Sequence, residues 1–184
     1  YDVSGDVFYY YEADDHFCCY RGETNPSVSA MIRTLAALNF CDDHPDYRRW
    51  VGKIVDFLHK SDQNGSFWTD KWHISPYYVT SIALNALRGI DEALARTRLK
   101  WILRTQNDDG GWGYYGTSTP EETAYCLEGL IQWDQTVERV PPTLIEDAAR
   151  YLRRHTDFDQ LVPLWIGKTI YTPTNIVKAA ILGA

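Results

Sequence analysis

The chain has 184 residues, 45% of them hydrophobic and 14% aromatic, and a formal net charge of −7. That length fits one sizeable core, the acidic balance argues against a nucleic-acid surface held by phosphate contacts, and no apolar run approaches the length of a membrane span. Thirteen Tyr and seven Trp are an excess that needs a use, either in the core or around an apolar ligand.

In chain order, residues 1–20 are aromatic and acidic without a clean period, start mid-pattern, and do not read as a signal peptide. Cys18, Cys19, Cys41 and Cys126 lack metal-type spacing, and the adjacent pair is an awkward start for a disulfide framework. Reduced thiols and a cytoplasmic location are therefore expected. His16 lies beside that pair, but no second ligand pair follows to complete a zinc set.

Four dipeptides then punctuate the chain: Asn25-Pro26, Ser75-Pro76, Thr119-Pro120 and Thr172-Pro173. Each offers a capping side chain followed by proline at the first helical position, where its missing N–H costs nothing. Helix-like runs rich in small residues follow, over 27–40, 77–90, 121–133 and 174–184. The prolines are spaced by 50, 44 and 53 residues. Between them lie more charged helices, 47–60, 92–105 and 144–154, each with an apolar stripe such as Trp50, Ile54, Phe57 and Leu58. Each unit thus reads as inner helix, outer helix, loop and aromatic residue. Phe67, Trp112 and Trp165 occupy the aromatic place. Two helices per unit at this period predict an all-α array of helical hairpins, and no alternating strand pattern competes.

The segment from Trp101 to Gly113 is the most regular unit. It runs from the end of an apolar helix through Asp108-Asp109-Gly110-Gly111, which suits a sharp reversal, to Trp112 with its one N–H to place. Asp beside Gly-Gly is ordinary turn chemistry rather than a metal site. The loops before the prolines are long and individual, and Trp72, His73, Tyr77, Tyr78, Trp112, Tyr114, Tyr115 and Trp165 fall in or beside them. At one end of an inner-helix ring they would wall a pocket whose π-faces stabilise cations without acting as nucleophiles.

The spacing Trp101-Ile102…Gln106…Gly110-x-Trp112 resembles the QW repeat of triterpene and diterpene cyclases. Phe57-Leu58…Asp62…Gly65-Ser66-Phe67 is similar to it as a degenerate copy, with Phe67 in place of the last Trp. Tyr20-x-Gly22-Glu23-x-Asn25-Pro26-Ser27, Asp70-Lys71-Trp72-His73-x-Ser75-Pro76-Tyr77-Tyr78 and Leu164-Trp165-Ile166-Gly167-Lys168 extend the likeness along the chain. In that order they resemble bacterial class II diterpene cyclases of the copalyl diphosphate synthase type.

The resemblance implies that residues 1–184 are the C-terminal part of a single α/α-barrel β domain, with the ring of hairpins incomplete. It implies protonation of geranylgeranyl diphosphate and closure to a bicyclic labdane diphosphate, ent-copalyl diphosphate being the first expectation, with Mg²⁺ assisting. The acid in that family is the middle Asp of a DxDD motif. No DxDD occurs here, so the acid, the γ domain and the Mg²⁺ ligands are expected upstream, and these residues alone are expected to be inactive. Glu12-Ala13-Asp14-Asp15 imitates the motif and reads either as an acid or as a solvated turn.

The implied partners are the prenyl diphosphate and the N-terminal part of the same protein, which would cover apolar faces left open by an incomplete ring. For single residues two readings stand. Gln106 and Trp112 clamp neighbouring hairpins or contribute to the cavity wall. His73 orients the acid or packs. One of Tyr77 and Tyr78 faces the cavity and the other a helix interface, and Lys168 meets a diphosphate or solvent. Alternatives are a squalene–hopene-type cyclase, a prenyltransferase β-subunit, which would need zinc, and a non-enzymatic helical-hairpin binding module.

Overall fold

The computed structural model describes residues 4–62, 64–155 and 157–184. Eight α-helices follow in order: α1 Ser4–Tyr11, α2 Val28–Leu38, α3 Tyr47–Lys60, α4 Pro76–Ala86, α5 Glu92–Arg104, α6 Pro120–Thr136, α7 Pro142–Arg154 and α8 Thr174–Gly183. The inner helices pack side by side in the order α2, α4, α6, α8, and α3, α5 and α7 each back onto the inner helix before them. The all-α reading holds, with one addition. A short antiparallel hairpin, β1 Trp165–Ile166 and β2 Ile170–Tyr171, stands between α7 and α8. Two-residue strands are too short to leave an alternating pattern in the sequence.

The outer helices bury only a stripe, Trp50, Ile54 and Leu58 in α3, for instance, whereas α4 and α6 bury most of their surface. That contrast follows from position, because the inner helices have neighbours on several sides. At Gly129 of α6 a Cβ would come within 3.1 Å of the Ser81 carbonyl oxygen on α4, so a small residue sets the close approach.

The turns after α3 and α5 are each closed by an indole. Trp112, fully buried, donates its Nε1–H to the Ile102 carbonyl at 2.9 Å, and its backbone N–H goes to Thr123 Oγ1 on α6 at 3.0 Å. Trp68 repeats this one unit earlier, with Nε1–H to Leu58 O at 3.1 Å and backbone N–H to Thr80 Oγ1 on α4 at 3.2 Å. The last carbonyls of a helix have no intrahelical donor, and the indole supplies one.

This corrects the alignment of the earlier repeat. Trp68 stands where Trp112 does, while Phe67 lies half-buried on the Trp101 ring, centroids 4.8 Å apart. The spacing from the helix end is the same in both units, ten residues from Leu58 to Trp68 and ten from Ile102 to Trp112; Gly65 lies one residue nearer its helix than Gly110 does, so a count from the glycine lands on Phe67. Trp165 departs further, lying in β1 rather than closing a helix end.

Gln106 does bridge hairpins, as expected. Its Nε2 donates to Gly110 O at 2.8 Å and to Leu144 O in the first turn of α7 at 2.9 Å. Asp62 bridges the preceding pair through charge, 2.6 Å from Arg98 Nη2 on α5, an ion pair rather than an aligned hydrogen bond. The Arg98 guanidinium lies 3.9 Å over the Trp68 ring. The turn itself needs glycine at two places: Gly110 has φ +90°, and a Cβ on Gly113 would meet Thr117 O at 1.8 Å.

None of the four cysteines is paired, and no helix of the described residues is long and apolar enough to cross a membrane. At the edge of the array α8 exposes Ile176 and Leu182, and Leu182, Ile181, Leu152, Leu127 and Phe158 line an apolar groove of about 220 Å³.

Trp68→Phe and Trp112→Phe each remove an indole from a filled site; the first also takes the donor from the Leu58 carbonyl, whereas the Ile102 carbonyl keeps Thr105 N at 3.2 Å. Each should cost about 2 kcal/mol or more, whereas Phe67→Leu should cost under about 1.5 kcal/mol. Urea denaturation of the full-length gene product measures the three. Equal losses at 67 and 68 would overturn the assignment.

Candidate active site at the inner-helix N-termini

The inner helices start at the same end of the array; a carboxylate from the next unit holds the starts of α2 and α4, and α6 uses its own Glu122. Ser27 caps α2, accepting from Ala30 N at 3.1 Å, and donates its hydroxyl to Asp70 Oδ1 at 2.8 Å. Asp70 also accepts from Ser29 N at 3.1 Å and Ser29 Oγ at 2.8 Å. Ser75 caps α4 and donates to Glu122 Oε1, while Thr119 caps α6 and donates to Glu122 Oε2 at 2.7 Å. Negative charge at a helix N-terminus is favoured by the exposed N–H groups and the helix dipole. Lys71 closes the group, pairing with the Glu23 carboxylate and lying 4.9 Å from the Trp72 ring.

Glu121, in the first turn of α6, points into a second and drier cluster. Its Oε1 accepts from Trp165 Nε1 at 2.7 Å and lies 3.3 Å from His73 Nε2. The side chains of His73 and Glu121 are 0% and 2% exposed. The His73 ring sits among π-faces: Tyr78 at 4.8 Å, Trp165 at 5.1 Å and Tyr125 at 6.3 Å between centroids.

Backbone bonds hold this arrangement. Ile74 N donates to Leu164 O and Ile166 N to Trp72 O, both at 2.9 Å. The hairpin thus straps the loop before α4 across the start of α6. Burial, and after it the charge of Glu121, pushes the Tyr125 hydroxyl far above the ordinary tyrosine range.

The eight aromatic and histidine positions expected at the pocket divide into groups. His73, Tyr78 and Trp165 come together, with the half-buried Trp72 at their edge, its ring turned to Lys71. Tyr77 is the interface residue of its pair. It stacks on Trp101 of α5 at 4.5 Å, its hydroxyl near Thr105 O, and burial raises its pKa to about 12. Trp112 lies in the core clamp. Tyr114 and Tyr115 are 44% and 67% exposed at the loop tip.

Among the described residues no one cavity gathers all eight, because most of these rings bury one another. Between α2, α4 and α6 runs an open cleft of about 420 Å³, lined by Tyr125 and by polar side chains including Arg33, Ser81, Asn85, Glu128 and Gln132. Reasoning from sequence missed Glu121 and Tyr125. Two glutamates after Thr-Pro read as solvent-facing N-terminal charge, but the four-residue step from Glu121 to Tyr125 puts both on one helix face.

Glu12 is neither a poised acid nor a solvated turn. It accepts from Arg49 Nη2 and Trp50 Nε1, both at 3.1 Å, and from Lys53 Nζ at 2.5 Å, tying the end of α1 to α3. Burial opposes its ionisation, but the donated hydrogen bonds outweigh this and hold its pKa near 2. Asp14 and Asp15 are exposed. Cys126, fully buried beside Ser81, has its thiol pushed well above the usual value by desolvation, the wrong state for a zinc ligand. Among the described residues no three His, Cys, Asp or Glu side chains converge to hold a cation.

A family model described as the squalene-hopene cyclase C-terminal domain matches residues 19–138. The chain belongs to that family. The match covers α2 through α6, and so both indole clamps and the His73–Glu121 contact.

Among relatives, the type B diterpene cyclase of Mycobacterium tuberculosis is 38% identical over 179 residues, covering 95% of this chain and 35% of that protein. An ent-copalyl diphosphate synthase from a Streptomyces species is 32% identical over 187 residues, covering 98% and 36%. The solved structure titled ent-copalyl diphosphate synthase from Streptomyces platensis superposes with a TM-score of 0.79 at 31% identity, over 98% of this chain and 38% of that one. A protein from Actinoplanes shares the fold, with a TM-score of 0.63 at 17% identity. The chain spans about a third of the length of the curated relatives it matches. As a squalene-hopene cyclase family member, it has bacterial diterpene cyclases and copalyl diphosphate synthases as homologues.

Glu12→Gln tests the strut. A carboxylate with a depressed folded-state pKa contributes stability that is fully present above its unfolded value, near 4.5, and lost as pH falls through the folded value near 2. The variant should melt lower than the parent at pH 7, and the gap should close between about pH 4.5 and 2. Thermal melts across that range measure it.

Proposed function

We propose that the protein carrying this chain is a class II diterpene cyclase, which protonates geranylgeranyl diphosphate and closes it to a bicyclic labdane diphosphate, ent-copalyl diphosphate being the first candidate. The observation that carries the reading is the buried His73–Glu121 pair inside a wall of Tyr78, Tyr125 and Trp165 rings, in a chain whose homologues include copalyl diphosphate synthases.

The chemistry suits the residues. Protonating an alkene requires an acid shielded from water and a surrounding that stabilises a carbocation without capturing it. Aromatic faces do the second, and a histidine whose ring is locked by hydrogen bonds can orient or supply a proton donor. In this proposal Trp72, His73, Tyr78 and Trp165 face the reacting end of the substrate. Tyr114 and Tyr115 stand free at the loop tip to meet the remainder of the molecule or another segment, and Trp112 and Tyr77 act from beneath by fixing the loops.

The acid, and the part of the barrel that closes over the open cleft and the α8 groove, are assigned to upstream residues of the same polypeptide. Residues 1–184 are then the C-terminal portion of that barrel. The donor sets among the described residues do not fit Mg²⁺: no three potential ligands converge, and Glu121 and Glu122 are committed to His73, Trp165, Ser75 and Thr119. The ion's ligands are assigned upstream with the acid.

The test is product analysis of the full-length gene product with geranylgeranyl diphosphate. A bicyclic diphosphate is expected, and His73→Ala should lower kcat roughly a hundredfold, the usual scale for a proton-handling side chain. No cyclised product under any tested condition would overturn the reading.

A further inference from the structure

The contacts around His73 are not symmetric. Nε2 faces an acceptor, Glu121 Oε1 at 3.3 Å, and therefore carries a hydrogen whenever Glu121 is ionised. Nδ1 faces two partners of opposite kind in one residue, the Ser75 carbonyl oxygen at 3.1 Å and the Ser75 backbone N–H at 3.2 Å. A bare Nδ1 accepts from that N–H, and a protonated Nδ1 donates to that carbonyl. Both states are hydrogen-bonded without the ring turning.

We propose that Glu121 is a positioning residue: it fixes His73 as the Nε2–H tautomer and, by its charge, makes Nδ1 a site that can hold and release one proton inside the aromatic cluster. The proposal rests on the cyclase reading for the use of that proton. Over a cyclisation that isomerises its substrate, the proton lost by the final cation replaces the one added to the alkene, so His73 need only hold one proton between turnovers.

Three further observations fit. Glu121 is almost wholly buried, and such a carboxylate is costly unless it serves a charged or strongly polar partner. Its second oxygen, Oε2, and the Tyr125 hydroxyl one turn along α6 are both buried with no well-formed hydrogen bond, so further polar capacity lies beside the imidazole. Finally, Tyr125 also lines the open polar cleft between α2, α4 and α6, so the cluster borders that cleft.

The groups facing His73 are few. α6 supplies Glu121 and Tyr125, and α4 supplies Tyr78. The hairpin supplies the uncharged Trp165, and α2 brings Arg33 6.0 Å above the Tyr78 ring. Glu122 is turned to Ser75 and Thr119. Glu121 is thus the one acid whose carboxylate touches the imidazole among the described residues.

The decisive experiment is a histidine-detected NMR titration of the full-length gene product, with His73→Gln to assign the signal, run beside pH profiles of kcat and KM. Glu121→Gln keeps an oxygen for His73 and Trp165 but removes the charge. Losing the carboxylate disfavours the imidazolium, so the His73 midpoint should fall by about one pH unit, a roughly tenfold change in proton affinity. The pH limb of kcat should move with it at unchanged KM, and Glu121→Asp should restore part of the shift. Trp165→Phe, read by NMR alone, removes the competing donor and should leave the midpoint unchanged or raised.

An unchanged midpoint in Glu121→Gln, or a neutral His73 protonated at Nδ1, would overturn the proposal. So would a fall in turnover without a shift, since packing alone would then explain the residue. If no cyclisation is found at all, the NMR titration still decides the role of Glu121, and the failure belongs to the cyclase reading.

Discussion

The structure depends on how each outer helix ends. The last turns of α3 and α5 run into a buried loop, and an indole N–H reaches one carbonyl of each, Leu58 from Trp68 and Ile102 from Trp112, the second of which also accepts from Thr105 N. The same tryptophans donate their backbone N–H to a threonine hydroxyl on the following inner helix. One residue therefore fixes where an outer helix stops and where the next inner helix begins. Because the indole is large and fully buried, the hydrogen bond and the packing reinforce each other.

From that constraint the rest of the site follows. With the inner helices held at a common level, their N-termini form one surface, and the carboxylates that cap them come from neighbouring units, Asp70 for α2 and Glu122 for α4. Glu121, one residue from Glu122, is turned the other way by the helical step and enters the aromatic cluster. The hairpin after α7 then ties across the loop that carries His73. A polar end with one buried aromatic cluster results, and burial makes the His73–Glu121 contact matter, because a hydrogen bond to a carboxylate counts for more where water cannot screen it.

Much of this could be read from residue order. The Pro-led inner helices, the charged outer helices and the turn around Gly110 follow from capping, periodicity and backbone freedom, all local effects. Gln106 as a bridge between hairpins was also legible, since an amide at a helix end followed by glycines has few other partners. Harder to read were choices between adjacent aromatics. The ten-residue step from Leu58 to Trp68 repeats that from Ile102 to Trp112, but the glycine of the turn sits one place earlier and points to Phe67. Tyr77 and Tyr78 pose the same problem at a helix start, settled by the Trp101 ring on one side and His73 on the other.

The sequence by itself determined the repeat, the helical class and the capped starts of the inner helices, because those depend on propensities and spacing within each unit. Tertiary structure alone decided that Glu12 is an ion-paired strut, that Trp165 joins a strap rather than a clamp, and that Glu121 is buried against His73. Each of those outcomes rests on a contact between residues more than thirty positions apart. At such distances charge and burial are set by which units are neighbours, and no local pattern encodes that.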